Sequence, residues 1–371
     1  MFKRICLVGA DVYPVLNPAL GEAYIGGESV QHTLLAKAFY HLGYDVFVVD
    51  KDYGQPEMES IGGVKVVKTF RENTGIPIIR FVYPRLTSIL RALRKVDADV
   101  YYQSCAGMMT GVVAWFCKRQ GRPFIFRTAH DTDCLPGQQL IRLWRDRKIY
   151  EYGLRNADII AVQGVNQQDL LKKNYHLNSF PINMAVEIPN DETAESQKDI
   201  DVLWVNNMRP FKRPELTFEL AKALPDYRFV MIGGPCGGLE GYYNKIRHTA
   251  LDVKNLDFIG PVNYKDVNDY FLRAKVFVNT SESEGYPNSF LQAWIRGVPV
   301  VSFFDPDGLI VHNNLGYSPS TLENIAQRLE NLLTNEAERL EIGKRAKDFV
   351  LRHYSPVNVA NAYIRLLKER A

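Results

Sequence analysis

Residues 201–234 read DVLWVNNMRPFKRPELTFELAKALPDYRFVMIGG, and this stretch decides the fold class. DVLWVNN is a short apolar, β-rich run, residues 215–224 carry the apolar period of a helix, and YRFVMIGG is a second apolar run. A strand, a helix and a strand joined by short turns make a βαβ unit, which belongs to a parallel sheet covered by helices. The same alternation continues toward the C-terminus. A helix over 242–253 precedes the strand LDFIGP, a helix over 267–274 precedes KVFVNTS, and a helix over 289–296 precedes PVVSFF. Two longer helices are predicted over 321–333 and 336–352, and VNVANAYIRLLKER, after the Ser355-Pro356 break, reads as a last helix that could pack back across a cleft.

Toward the N-terminus the pattern stops at residues 188–201, IPNDETAESQKDID, which are acidic and polar and lack apolar periodicity, as a linker does. Before them lies a complete second series. Strands ICLVGA, DVFVVD, VKVVKTF, DVYYQS, PFIFRTA, DIIAVQG and FPINMAV are interleaved with helices over 28–41, 87–96, 107–119, 141–155 and 167–174. The chain's 371 residues exceed one ordinary core. The expected architecture is α/β, with two doubly wound Rossmann-like domains facing across a cleft at the carboxyl ends of both sheets. The expected boundaries are an N-terminal domain over 1–186, a linker over 187–200, a C-terminal domain over 201–354 and the final helix over 355–371.

Composition narrows the function classes. With 46% hydrophobic and 23% charged residues the chain is globular, and disorder, collagen and coiled coil are excluded. No apolar run approaches the roughly 18 residues of a membrane-spanning helix, and ICLVGA stops at Asp11, short of a signal-peptide core. Five cysteines without CxxC spacing indicate neither a disulfide framework nor a zinc cluster, so a reducing, cytoplasmic location is expected.

The net charge of +3 conceals a division: residues 1–185 hold 23 Lys+Arg against 17 Asp+Glu, and the remainder 22 against 25. Much of the basic excess lies in PRLTSILRALRKV and LIRLWRDRKIYEYGLR, both read as amphipathic helices. They are either solvated helix faces or docking surfaces for an anionic membrane at the inner face of the cell. Nucleic acid is disfavoured, because the aromatic residues lie in apolar strands and not among these cations.

Four places could carry chemistry. Gly26 and Gly27 open a helix, where small residues and free N–H groups admit an anion, or they are simply two glycines in a long loop. His130 and Asp131 end the strand PFIFRTA, where an α/β domain places working groups, although a lone histidine also serves structural ends. Arg209 and Lys212 flank the turn after DVLWVNN, just before a helix N-terminus, which suits a diphosphate or makes an exposed basic loop. In SESEGYPNSFLQAWIRGVPVV, Glu284 follows a strand, Gly285 and Pro287 shape a tight loop, Asn288 or Ser289 caps the next helix, and Gln292 lies a turn into it. Carboxylates and amides so placed can read neighbouring hydroxyls of one ligand. There is no G-x-S-x-G elbow and no cysteine in such a setting.

EGYPNSFLQAWIRGVPVV resembles the donor-site signature of glycosyltransferase family 4, retaining enzymes of the GT-B fold, in which a second Glu stands eight residues after the first. IGGESVQHTLLAKAFYHLGYDVFVV is similar to that family's first helix, NMRPFKRPELTFELAKALPDYRFVMIGG to its phosphate-binding turn, and LDFIGPVNYKDVNDYFLRAKVFVNTS to the approach to the donor loop. The resemblance spans nearly the whole chain and is strongest from Asp201 to Phe304. It implies a retaining transfer of a hexosyl group from a nucleoside-diphosphate sugar to a hydroxyl of a glycan, lipid-linked or small-molecule acceptor, as in polysaccharide biosynthesis. It implies that Arg209 and Lys212 hold the diphosphate, and that Glu284 with Gly285, Tyr286, Pro287 and Asn288 holds the hexose. Gln292 would face the ribose, His130 the sugar near its anomeric centre, and Gly26 and Gly27 the phosphates and acceptor. Gln292 replaces the signature's second Glu, keeping an acceptor and losing a charge, and the Arg209 to Lys212 spacing is shorter than the family's commonest form. No cofactor and no metal are expected: Asp131 and Asp133 have D-x-D spacing, but the resemblance puts His130 beside the sugar. A nucleotide-sugar epimerase of the same fold and a non-catalytic nucleotide-sugar-binding subunit are the rival readings.

Overall fold

The computed structural model describes residues 2–20, 26–72, 74–76, 81–189, 198–284 and 286–370. Most of the acidic linker lies outside the described residues. The described residues form two compact units, one holding those up to Ala185 together with those from Pro356 onward, the other holding those between Val186 and Ser355. The α/β class and the two doubly wound sheets expected from the alternation are observed.

The first unit contains strands β1 (Arg4–Val8), β2 (Asp45–Asp50), β3 (Met58–Ile61), β4 (Val64–Lys68), β5 (Val100–Ser104), β6 (Phe124–Arg127), β7 (Ile159–Val162) and β8 (Phe180–Pro181). They pair in the order β3-β4-β2-β1-β5-β6-β7-β8, all parallel except the β3–β4 hairpin. The second unit contains β9 (Ile200–Val205), β10 (Phe229–Ile232), β11 (Leu256–Gly260), β12 (Ala274–Asn279), β13 (Val300–Ser302) and β14 (Gly316–Tyr317), in the order β11-β10-β9-β12-β13-β14 and parallel throughout. Central strands β6, β7 and β10 are buried at every position, because helices cover both faces. Their continuous apolar runs are the result. One core layer of the first unit joins Cys6, Val8, Tyr101, Phe124 and Phe126 to Val113, Phe116 and Tyr150 of the helices. In the second, Val202, Trp204, Met231 and Val278 pack against Phe218, Ile246 and Ile325.

The helices match the periodic segments closely, and several elements differ from expectation. The segment expected as helix from Ile141 starts instead at Trp144, because Leu143 is extended (φ −92, ψ 128) and the Ile141 amide turns back to the Gln139 carbonyl. FPINMAV pairs as a strand only over Phe180–Pro181; beyond it the Ala185 backbone is held by the Gln31 side chain, through 2.8 and 2.7 Å hydrogen bonds. A short helix over Val12–Leu16 and the hairpin strand Met58–Ile61 had no counterpart in the sequence reading. The final helix, Pro356–Arg370, belongs to the first unit: Arg127, buried in β6, donates to the Tyr363 hydroxyl at 2.8 Å, and the Tyr102 ring meets Tyr363 edge-on. No helix among the described residues is long and apolar enough to cross a membrane.

Helices Met108–Gln120 and Trp144–Arg155 touch backbone to backbone. A Cβ at Gly111 would lie 2.1 Å from the Ile149 carbonyl oxygen, and one at Gly153 2.5 Å from the Thr110 carbonyl carbon. Overpacking of this kind costs about 1–3 kcal/mol and can exceed the roughly 1 kcal/mol that alanine gains over glycine in a helix. Gly111→Ala and Gly153→Ala are each expected to lower the thermal midpoint, by about 2–4 °C per kcal/mol of net loss. A raised midpoint would show that the two helices part freely.

Candidate functional site

In the second sheet the connections from β9 and β12 run to opposite sides, so the segments leaving their carboxyl ends diverge. A crevice opens at such a switch point, and open α/β sheets bind ligands there. Arg209 and Lys212 leave β9, and Glu284 follows β12. Lys212 Nζ donates to Glu284 Oε1 as an ion pair, with only 12% and 9% of the two side chains exposed. Ser281 Oγ donates to the same carboxylate oxygen at 2.6 Å.

The backbone locks the two segments together. Thr280 Oγ1 donates to the Lys212 carbonyl at 2.8 Å while accepting from Trp204 Nε1 at 2.9 Å. The Glu282 amide donates to the Phe211 carbonyl at 2.9 Å. Arg213 donates to the carbonyls of Thr280 and Ser281, at 2.8 and 3.3 Å, and its guanidinium rests over the Phe303 ring. Local sequence makes this geometry: Pro210 starts a 3₁₀ turn over Pro210–Lys212, and Arg213 reverses the chain at φ 48. Arg209 Nε donates to Cys236 Sγ, on the segment after β10, at 3.2 Å. Burial pushes the Lys212 ammonium below the usual lysine range, and the charge of Glu284 opposes that shift. The result is a desolvated cation held in place by a carboxylate, with a second cation three residues earlier.

The rest of the predicted donor set lies close by in sequence. Gly285 is outside the described residues. Tyr286 donates its hydroxyl to that of Tyr354 at 2.8 Å. The helix Asn288–Trp294 follows Pro287 directly and has no side-chain cap, in place of the expected cap from Asn288 or Ser289. Gln292 is 7% exposed, and its amide donates to Asn268 Oδ1 at 3.3 Å, tying this helix to Tyr264–Arg273.

The first sheet has its switch point between β1 and β5. Gly26 caps the helix Gly27–His41 in an extended conformation, and Glu28 stands in its first turn. Ser104, at the end of β5, donates to the Glu28 carboxyl at 3.4 Å, and His32 Nδ1 lies 3.8 Å from it. The His32 ring is fully enclosed, edge-on to Tyr102 and tight against Gly9. Burial pushes Glu28 up to about 8 and His32 down to about 4, so at neutral pH the pair is a protonated acid beside a neutral imidazole. Sequence reasoning passed over Glu28 because an acidic residue in a first helical turn is ordinary dipole chemistry; His32 is its i,i+4 neighbour, but only the fold brings Ser104 to it.

His130 is the cap of a 3₁₀ turn, Asp131–Cys134. Its Nδ1 accepts from the Thr132 amide at 3.2 Å, which leaves Nε2 to carry the proton and to donate. Asp131 accepts from Asn166 at 2.8 Å and Gln167 at 2.9 Å, whereas Asp133 accepts from the amides of Ala129 and His130 at 2.8 and 3.0 Å. The two carboxylates of the D-x-D spacing therefore serve different partners. Among the described residues no group of three or more His, Cys, Asp or Glu is arranged to hold a metal ion.

Comparison with known proteins bears on the fold and on the second unit. Residues 187–349 match the family model described as Glycosyl transferases group 1. A poly(ribitol-phosphate) alpha-N-acetylglucosaminyltransferase of Staphylococcus aureus is 25% identical over 239 residues, 59% of this chain, and the match spans 46% of that protein's length. A D-inositol 3-phosphate glycosyltransferase of Mycobacteroides abscessus is 22% identical over 81% of this chain and 74% of its own. Anabaena HepE, solved in complex with UDP and glucose, superposes with a TM-score of 0.75 at 14% identity, covering 99% of this chain and all of that one. Residues 187–349 thus carry the group 1 glycosyl transferase match, and the two Rossmann-like sheets have the GT-B fold of these structures.

Proposed function

We propose that this protein is a family 4, retaining glycosyltransferase that moves a hexosyl group from a nucleoside-diphosphate sugar to a hydroxyl acceptor without a metal ion. The observation that carries the reading is the desolvated Lys212–Glu284 pair at the switch point of the second sheet, with Arg209 on the same turn. Lys212 and Arg209 meet the diphosphate and stabilise its departure, the role a divalent cation plays elsewhere. Glu284, with the segment through Asn288, orients the hexose, and Gln292 accepts from the ribose. The names of the relatives, one an N-acetylglucosaminyltransferase and one solved with UDP and glucose, support a nucleotide-sugar donor.

In the first unit, His130 offers Nε2–H to the sugar, while Gly26 and Gly27 present the N-terminus of a helix to negative charge. An uncharged Glu28 keeps that helix end from repelling an anion. The reaction is a same-face displacement: the C1–O bond to the diphosphate breaks, a bond from C1 to the acceptor oxygen forms, and the acceptor proton passes to the departing phosphate oxygen. The protein supplies position and fixed charge. Metal independence is supported by the partners of Asp131 and Asp133, which are already amides.

Lys212→Ala and Glu284→Ala are each expected to lower kcat/KM at least tenfold, roughly 1.4 kcal/mol of transition-state stabilisation. Each also strands one buried charge and should cost about 3 kcal/mol of stability. The pair Lys212→Met with Glu284→Leu should recover much of that stability and none of the activity, so calorimetry and kinetics together separate a donor site from a structural ion pair. Near-wild-type turnover in either single variant places the donor elsewhere. Turnover should persist in EDTA, and activity lost there and restored by Mg²⁺ or Mn²⁺ overturns the metal-free mechanism. Release of nucleoside diphosphate only with acceptor present separates transfer from epimerisation and from binding alone.

Glu28 sets a pH dependence of known sign. The native carboxyl keeps its proton up to about 8 while the unfolded chain releases it above its ordinary value, so the native state binds more protons between the two and loses stability as pH rises. Glu28→Gln should therefore gain in melting temperature over wild type at pH 8 relative to pH 5. The same difference at both pH values would mean that Glu28 is ionised in the native protein.

A further inference from the structure

Two segments far apart in sequence meet on the surface of the first unit. The turn Phe81–Leu86 precedes the helix Thr87–Val96, and residues 140–143 lead into the helix Trp144–Arg155. The Arg145 guanidinium lies over the Phe81 ring, 4.3 Å from its centroid, and joins them. Around that contact, large apolar side chains are turned out to solvent: Val82 is 55% and Tyr83 67% exposed, Leu140 69%, Leu143 50% and Trp144 76%.

A solvated helix face would carry polar groups at these positions. Here three of the five residues from Leu140 to Trp144 are apolar and at least half exposed, and Arg142, Arg145 and Lys148 stand exposed among them. Two carboxylates temper the charge, Asp146 beside Arg145 and Glu151 beside Lys148, each at 2.8 Å. With Arg147 counted, the segment still holds four cations against two anions. Exposed Trp and Leu interleaved with Arg and Lys fit the boundary of an anionic bilayer, where rings and aliphatic chains enter the headgroup layer and cations meet phosphates. The core of a protein interface, by contrast, is depleted of Lys, Asp and Glu, the types of Lys148, Asp146 and Glu151 here. The cations of the other basic stretch are not needed for this surface; Lys95 is already paired with Glu57.

We propose that the surface formed by Val82, Tyr83, Leu140, Leu143 and Trp144, with Arg142, Arg145 and Lys148 around them, seats the protein on a membrane rich in anionic phospholipid. This holds whatever the donor or acceptor, and its test does not use turnover. The full chain is sedimented with vesicles of phosphatidylcholine, with and without phosphatidylglycerol, at low and high salt. Binding is expected to the anionic vesicles at low salt and to weaken about tenfold on neutral vesicles or in high salt. Leu143→Ser with Trp144→Ser should reduce partition about tenfold with an unchanged melting temperature, because both side chains are exposed in the free protein. Arg142→Glu with Lys148→Glu should remove the preference for anionic lipid. The proposal is overturned by no binding to either vesicle, by equal binding to both, or by variants that partition as wild type does. It is also overturned by self-association without lipid that the Leu143/Trp144 variant abolishes, which would make the surface a contact between two copies.

Discussion

Parallel strand pairing is the constraint on which the rest of the structure depends. Apart from the hairpin strand Met58–Ile61, every paired strand runs parallel to its neighbours, so each step along a sheet needs a crossover that covers one face or the other. With both faces covered, central strands such as Phe124–Arg127 and Phe229–Ile232 have no solvent side. Polar working groups are left the carboxyl ends, where a gap opens between crossovers that part. Both candidate clusters occupy such a gap, Glu28 with Ser104 in one sheet and Lys212 with Glu284 in the other.

The two clusters handle burial in opposite ways. Glu28 and His32 are pushed toward their uncharged forms by desolvation, although they stand 3.8 Å apart. Lys212 and Glu284 face each other directly, and Ser281 and the surrounding carbonyl contacts hold the geometry, so the pair persists in a place where water is scarce. A buried ion pair is a weak stabiliser. Here it sits at a switch point, stitched in by Thr280 and Arg213.

Much of this was legible in the sequence because period and punctuation are local. The helices Thr87–Val96, Leu322–Thr334 and Glu336–His353 fall almost where their apolar spacing puts them, and Arg209, Lys212 and Glu284 lie at strand ends as expected. What escaped is long-range. Nothing near Glu28 announces Ser104, and the short edge strand Phe180–Pro181 ends where Gln31 takes over the backbone. The helix expected from Ile141 lost its first turn to an extended Leu143, which periodicity alone does not reveal. The basic stretches were visible as charge, but only the fold brought Phe81 under Arg145.

The bond between Arg127 and Tyr363 has a consequence for how the chain is made. Arg127 is buried in the middle of the first sheet, and its partner hydroxyl lies 236 residues later in the last helix. A ribosome emits the second unit in full before it emits Tyr363. The guanidinium must wait in a nearly finished unit without that partner, and the first unit to be synthesised is the last to be completed. A nascent protein lacking its final helix would leave the Arg127 side of the sheet uncovered, open to whatever chaperone reaches it first.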